Sequence, residues 1–277
     1  MKMRLLVVLL ITAIQPLCAQ QWVEKKKDFS LLLKQEFRTY DQVFDIDGNR
    51  FPAPEIKHNV TTISGEYAVS DKFSVSASFP IVVRNSVKEN PQFGVLDANI
   101  SDPGEAIISV RYNHRFNEHL QTSAFLQQAL PTANNNARFG LNTGYNDLAQ
   151  YVGGTIRYST NELFFASFDI GYRLRHKDFG DEVEALAEIG LKIKSDFWFI
   201  ARSNGLQPIE NGDEDKSGGN FGLYQQWQGF WDTGAGIRYN HPNWEVSALF
   251  NANFKGQYSP VTSFFLFGVK YRMLNRD

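Results

Sequence analysis

The residues of this sequence that could take part in chemistry are charged side chains at every second position of apolar segments. In YSTNELFFASFDIGYRLR, residues 158–175, the side chains of Asp169, Arg173 and Arg175 belong to one alternate set. The other set is apolar and consists of Phe164, Ala166, Phe168, Ile170, Tyr172 and Leu174. Successive side chains of a β-strand point to opposite faces. The segment is therefore predicted to be a strand with one apolar face and one face that can attract or repel ions.

Similar charged faces recur along the chain. The residues predicted to line a shared interior, or lumen, are Arg84, Arg111, Arg157, Asp169, Arg173, Arg175, Glu184, Glu188, Arg202, Asp232, Arg238 and Lys255. Basic side chains outnumber acidic ones in this set, and such a lining favours the passage of anionic or polar solutes. A second interpretation stays open, in which the two signs pair with each other and fill a narrow interior.

Catalytic and metal-binding patterns are weak. None of the five histidines has a serine two residues later, and the local cluster of His176, Asp178 and Asp181 is typical of a solvated loop. The stretch DIDGN, residues 45–49, lacks the distant glutamate of a calcium loop and is predicted to be a turn. The acidic run 210–215 is predicted to be a surface loop. We therefore expect no catalytic residue, no enzyme activity, no metal and no cofactor.

Composition and the N-terminal sequence limit the classes of protein to which the chain can belong. The chain has 277 residues and a formal net charge of −2, so it has no basic footprint for nucleic acid. Lys2 and Arg4 precede an apolar core from Leu5 to Ile14, which is too short to span a bilayer as a helix. Residues 1–19 are therefore predicted to be a cleaved secretory signal peptide, and 20–277 to be a single domain.

The elements that would position the charged faces are alternating segments of about ten residues, and about twelve of them recur after residue 28. Short turns such as 195–196 alternate with longer connections such as 45–55, 85–104 and 131–147. In lipid every backbone polar group must be paired, so strands cross only as a closed ring. The predicted fold is all-β: a transmembrane, antiparallel, up-and-down β-barrel of about twelve strands in the bacterial outer membrane. Its short turns are predicted to lie in the periplasm.

Aromatic rings cluster near the short turns, on the apolar face of each segment. Rings in this position sit at the membrane–water interface of outer-membrane barrels. The predicted interface residues are Tyr67, Phe73, Phe116, Tyr158, Phe164, Phe197, Tyr239, Trp244 and Tyr271. The expected partners are membrane lipid and lipopolysaccharide, and the oligomeric state is left open.

Three stretches resemble the phenol meta-pathway degradation family of outer-membrane barrels. They are SGEYAVSDKFSVSASFPIV (64–82), ISDPGEAIISVRYNHRF (100–116) and LPTANNNARFGLNTGYNDLAQYVGGTIRYS (130–159). The sequence departs from the family pattern at Ala133, where glycine is usual, and at Pro103-Gly104-Glu105, where Gly-Asp is usual. The resemblance spans roughly residues 58–272, and it implies a barrel for the uptake of hydrophobic or aromatic compounds.

The expected function is passive passage of small molecules, hydrophobic, aromatic or anionic, past charged wall residues. The connections 86–104 and 131–147 are expected to narrow the outer mouth. Two alternatives remain: a plugged structural barrel whose loops bind a partner, and an outer-membrane hydrolase.

Overall fold

A computed structural model describes residues 26–134, 141–160, 163–176, 179–209 and 228–274. The predicted signal peptide and the acidic run 210–215 lie outside the described residues, as does Asp178. No helix within the described ranges is long and apolar enough to cross a bilayer.

Strands account for most of the described chain. They are β1 (Phe29–Phe44), β2 (Arg50–Ala68), β3 (Phe73–Val87), β4 (Ala98–Asp102), β5 (Ala106–Arg115), β6 (Leu120–Leu130), β7 (Gln150–Thr160), β8 (Phe164–Leu174), β9 (Glu182–Lys194), β10 (Phe197–Pro208), β11 (Gly229–Asn240), β12 (Trp244–Gln257) and β13 (Ser263–Met273). A short 3₁₀ helix, Pro91–Phe93, lies between β3 and β4.

The strands close into a single antiparallel barrel. Sequential strands pair with each other, and β1 also pairs with β13 from Phe29 opposite Met273 to Thr39 opposite Ser263. The short β4 pairs with the outer half of β3, while β5 pairs with the half of β3 nearest the β2–β3 turn. Twelve strands therefore form the wall and β4 extends it locally. The predicted all-β, up-and-down barrel of about twelve strands is confirmed.

The two ends of the barrel differ in their connections. Short turns at 69–72, 116–119, 195–196 and 241–243 lie at one end, and the long connections lie at the other. The segment 45–55 was expected to be a long loop, but β1 continues up to Phe44 and β2 already begins at Arg50, so only residues 45–49 connect the two strands. Asp45 closes the hairpin by accepting hydrogen bonds from the backbone N–H and the side-chain amide of Asn49. This turn brings Asp45 and Asn49 together without any longer loop.

The outer face of the barrel is apolar. Large hydrophobic side chains such as Ile156, Ile189 and Phe267 are exposed there in the middle of their strands. The inner face is mixed, and one of its apolar clusters packs Phe165, Ile200, Leu249, Phe264 and Leu266 together. An exposed apolar band of this kind is stable when lipid covers it.

A charge on the outer face should therefore be costly, and the penalty should depend on depth. We expect Ile189→Arg, in the middle of β9, to lower the free energy of unfolding in lipid vesicles by about 2–4 kcal/mol. Ile193→Arg is the matched control on the same strand and face, next to the short turn, and it should cost about 0–1 kcal/mol. Denaturant titration of both variants measures the difference. Equal costs would contradict lipid exposure of this face.

Candidate functional site

The predicted lumen residues are mostly enclosed by the barrel. Buried or half-buried side chains belong to Arg111, Arg157, Asp169, Arg173, Arg175, Glu184, Glu188, Arg202, Asp232 and Arg238. Arg84 and Lys255 differ, because both side chains are exposed.

Two β-bulges explain the difference. In β3, Thr61 pairs with Val82 and Thr62 pairs with Pro80, so Ile81 has no opposite residue. In β12, the partners of Trp231 and Asp232 are Lys255 and Asn253, so Phe254 is skipped. An extra residue in one strand moves every side chain beyond it to the opposite face. Arg84 and Lys255 lie beyond these bulges. The same slip in β3 turns Val83, predicted on the lipid side, into a buried residue with 1% exposure.

The half of the lumen nearest the short turns is filled by an ionic network. Arg238 bonds Glu188 through Nη2 at 2.8 Å and lies 3.4 Å from Glu245. Arg272 forms a short ion pair with the second carboxylate oxygen of Glu245. All four side chains are buried. In this half of the barrel the two signs pair with each other, as the second interpretation of the charged faces expected.

A second ionic network lies at the opposite end of β8 and β9. Arg173 contacts Glu182 at 3.2 Å and Glu184 at 2.6 Å. Arg175 contacts Glu182 at 2.6 Å, and its Nε lies 3.8 Å from Asp147. Asp147 does not belong to a wall strand, so this network joins the wall to a loop.

That loop, residues 141–149 and here called the inner loop, folds into the barrel. Leu141, Thr143, Tyr145, Asp147 and Ala149 are all buried. The segment 131–147 was expected to narrow the outer mouth. Its described part beyond residue 140 is buried inside the barrel, where it contacts wall residues at the long-connection end. The lumen is therefore narrowed from within.

Arg175 and its neighbours hold the inner loop in place. The guanidinium carbon of Arg175 lies 3.7 Å from the ring centroid of Tyr145 and 4.3 Å from that of Phe179. Tyr145 donates its hydroxyl to Gln228 at 3.1 Å. The backbone N–H of Asp147 donates to Glu105 at 3.2 Å. Cation–π contacts between desolvated groups are each worth about 2 kcal/mol. The loop is thus fixed by several buried contacts.

Aromatic rings elsewhere in the lumen lie flat on glycines of the neighbouring strand. A Cβ atom at Gly190 would lie 2.0 Å from the ring of Phe165, and one at Gly171 would lie 2.4 Å from the ring of Tyr151. Larger residues at these glycines would push the rings toward the lumen axis. The glycines therefore keep space open inside the barrel.

A cavity of about 150 Å³ lies in the lumen beside the inner loop. Its apolar side is formed by Val60, Pro80, Val83, Ile107 and Ala129, and its charged side includes Lys34, Glu36, Arg38, Arg173, Arg175, Arg202 and Asp232. A partly open cavity lined by both apolar and charged side chains can hold a small amphipathic molecule.

Arg202, on the charged wall, is incompletely paired. Its Nη2 donates to Asn204 at 3.2 Å, and the side chain is 5% exposed. Its Nε and Nη1 have no hydrogen-bond partner among the described residues. By contrast, Arg38 on the same wall bonds Glu36 at 2.8 Å.

The predicted interface aromatics are exposed or half-buried; Phe116 lies in a short turn, and the other eight lie at the short-turn end of their strands. Three pairs meet across neighbouring strands on the outer face: Phe73–Tyr112, Phe197–Tyr239 and Trp244–Tyr271, with ring centroids 4.7 to 5.2 Å apart. None of the nine rings is buried in a protein core, and their contact with lipid headgroups stays a prediction.

The histidines form no recognisable catalytic or metal site. His114 packs against Phe116, and the backbone N–H of His176 donates to Asp147. Within the described ranges no group of three potential metal ligands occurs.

His58 was missed by sequence reasoning. It is buried and its Nδ1 lies 2.5 Å from the side-chain oxygen of Asn85. The side-chain nitrogen of Asn85 in turn donates to the inner-loop carbonyl oxygen of Asn142. Its place on the polar face of β2 is visible in the alternation, but its tie to the loop is not.

No family model and no curated protein matches the chain. Among solved structures, a COG4313 outer-membrane channel from Pseudomonas putida F1 superposes with a TM-score of 0.75 at 12% identity, covering 94% of this chain and 100% of that one. The chain has the fold of an outer-membrane channel. The NanC porin gives a TM-score of 0.54 at 8% identity, with coverage of 88% and 100%. The KdgM porin in complex with disordered oligogalacturonate gives 0.50 at 9%, with coverage of 87% and 98%. Barrels of this type lie in the bacterial outer membrane.

Proposed function

We propose that the protein is an outer-membrane channel through which small molecules pass by diffusion. The observation that carries the proposal is the combination of a closed barrel and an internal cavity whose charged wall is only partly neutralised. Conduction needs sites that bind a solute weakly enough to release it. A cavity bounded by fixed charges and a narrowing loop supplies such a site.

The likeness to channels and porins supports transport in general. The resemblance of residues 58–272 to the phenol meta-pathway degradation family favours hydrophobic or aromatic solutes, and the basic lumen residues favour anionic ones. The nearest contacts outside the lumen would be lipid tails on the apolar band and, at the long-connection end, lipopolysaccharide. The barrel would lie with its short turns in the periplasm.

Single-channel recording in planar bilayers tests the proposal. The refolded barrel should give discrete conductance steps in potassium chloride, whereas the same preparation unfolded by heat should give none. A folded barrel that gave no steps in any salt would contradict channel function.

A plugged structural barrel is the second candidate. The buried network around Arg238, Glu245 and Arg272, together with the inner loop, favours it because these groups fill much of the lumen. It predicts a folded, inserted barrel with no conductance.

Hydrolysis is the weakest candidate. If it occurred, replacing both His114 and His176 should abolish it.

A further inference from the structure

Among the charged side chains that line the cavity beside the inner loop, Arg202 and Asp232 lie on neighbouring strands, carry opposite charges and have unsatisfied polar atoms. Arg202 on β10 keeps two guanidinium nitrogens without a hydrogen-bond partner in the described chain, and Asp232 on β11 keeps its Oδ1 without one. Both side chains are buried, with exposures of 5% and 1%. A buried charged group without its full set of hydrogen bonds is destabilising unless something supplies them.

Asn204 holds the two charges apart. It lies directly opposite Asp232 across the β10–β11 pair. Its side-chain oxygen accepts from Arg202 at 3.2 Å, and its side-chain nitrogen donates to Asp232 at 2.7 Å. Arg202 and Asp232 form no direct ion pair with each other in the described structure. The lumen wall therefore presents unsatisfied guanidinium nitrogens of Arg202 on one side of the Asn204 side chain and the unsatisfied Oδ1 of Asp232 on the other.

The rest of the cavity sets the size and polarity of a complementary molecule. The same cavity is also lined by the apolar side chains of Val60, Pro80, Val83 and Ile107. Cavities of about 150 Å³ hold a molecule about as large as benzene. The complementary molecule has an anionic acceptor, a cationic donor close beside it and a compact apolar body.

We infer that this cavity is a binding site for a zwitterionic α-amino acid with a small apolar side chain. Its carboxylate would accept from Arg202, its ammonium group would donate to Asp232, and its side chain would contact the apolar wall. The inference rests on the proposed function, since it names the solute class that the channel would hold on its way through the lumen. The site requires no covalent step.

Titration calorimetry of the purified barrel in a nonionic maltoside detergent tests the inference without any need for transport. The probes are L-valine and three fragments of it: 3-methylbutanoate lacks the ammonium group, 2-methylpropan-1-amine lacks the carboxylate, and glycine lacks the side chain. Valine should bind, and each fragment should bind roughly tenfold more weakly or worse, because each leaves one buried group unsatisfied. Equal binding of valine and 3-methylbutanoate would overturn the assignment of Asp232.

Two variants separate the roles of the charges. Arg202→Gln should weaken valine binding roughly tenfold or more. Asp232→Asn should weaken valine binding but strengthen binding of 3-methylbutanoate, since it removes a negative charge from beside that ligand. Arg157→Gln removes a lumen arginine outside the cavity and should leave binding unchanged. A purely structural role for Asp232 would not reverse the preference between the two ligands.

The outcomes for the site and for the channel are distinguishable. A barrel that binds valine but shows no conductance steps would contradict channel function and support the site. A barrel that conducts potassium chloride but does not bind valine would contradict the site. Heat-modifiable migration on gels shows that each variant is folded, so loss of binding is not confused with loss of the barrel.

Discussion

Replacing Arg175 with glutamine is expected to raise the single-channel conductance severalfold. The side chain of Arg175 is 1% exposed and lies between the rings of Tyr145 and Phe179, close to Asp147. Glutamine cannot reproduce the cation–π contacts or the ion pair, and breaking a buried ion pair typically weakens a structure by about 3–5 kcal/mol. That loss would change the equilibrium between the buried and the displaced inner loop by a factor of more than 100. The fraction of barrels with the loop displaced from the lumen would then rise by that factor.

The matched control is Arg157→Gln. Arg157 is also a half-buried lumen arginine over an aromatic ring, Phe165, but none of the inner-loop contacts described above involves it. Its loss should alter conductance only modestly. An Arg175→Gln barrel that is folded and conducts like wild type would show that the inner loop does not limit passage.

The largest expected effect on stability is that of Glu245→Ala. Glu245 faces both Arg238 and Arg272 in the buried network. Removing it leaves Arg272 without this carboxylate and Arg238 with Glu188, so we expect the free energy of unfolding to fall by about 3–5 kcal/mol. Denaturant titration in detergent micelles measures this change.

Glu55→Ala provides the control for Glu245→Ala. Glu55 also meets a basic side chain, Lys88, at 2.9 Å, but this pair is partly exposed at the long-connection end. Exposed ion pairs contribute about 0–1 kcal/mol. Adding Arg272→Met to Glu245→Ala should recover part of the loss, because it removes one of the two buried positive charges that Glu245 balances. If both glutamates gave the same small change, the network around Glu245 would be solvated rather than buried.

Alternation predicted the barrel because the period of two persists over most of each wall strand. The charged side chains of β7 to β11, other than Lys194 at the end of β9, fall inside the barrel for the same reason. Alternation fails where a bulge inserts a residue, as it does opposite Thr61 and beside Asp232. In β12 no local residue type marks the extra position, whereas in β3 the extra residue follows Pro80, and proline inside a sheet is typical of a bulge. Arg84 and Lys255 are exposed because they lie beyond these two bulges.

The inner loop could not be predicted from the sequence for a different reason. Tyr145 and Asp147 lie in a stretch rich in Asn and Gly, which is typical of solvated loops. Their burial depends on Gln228, Arg175 and Glu105, which are distant in sequence. Contacts of this range have no periodic signature. Three-dimensional closure of the wall is what brings them together.

The pairing of β1 with β13 also constrains how the molecule is made. Its first and last strands are direct neighbours, although more than two hundred residues separate Thr39 from Ser263 along the chain. Contacts between remote segments slow folding, because the entropy of closing the intervening chain is lost before the contacts form. Until the final hairpin is synthesised, β1 has an unpaired edge that can capture other chains. Safe assembly therefore depends on keeping the nascent polypeptide soluble until its C-terminal end arrives.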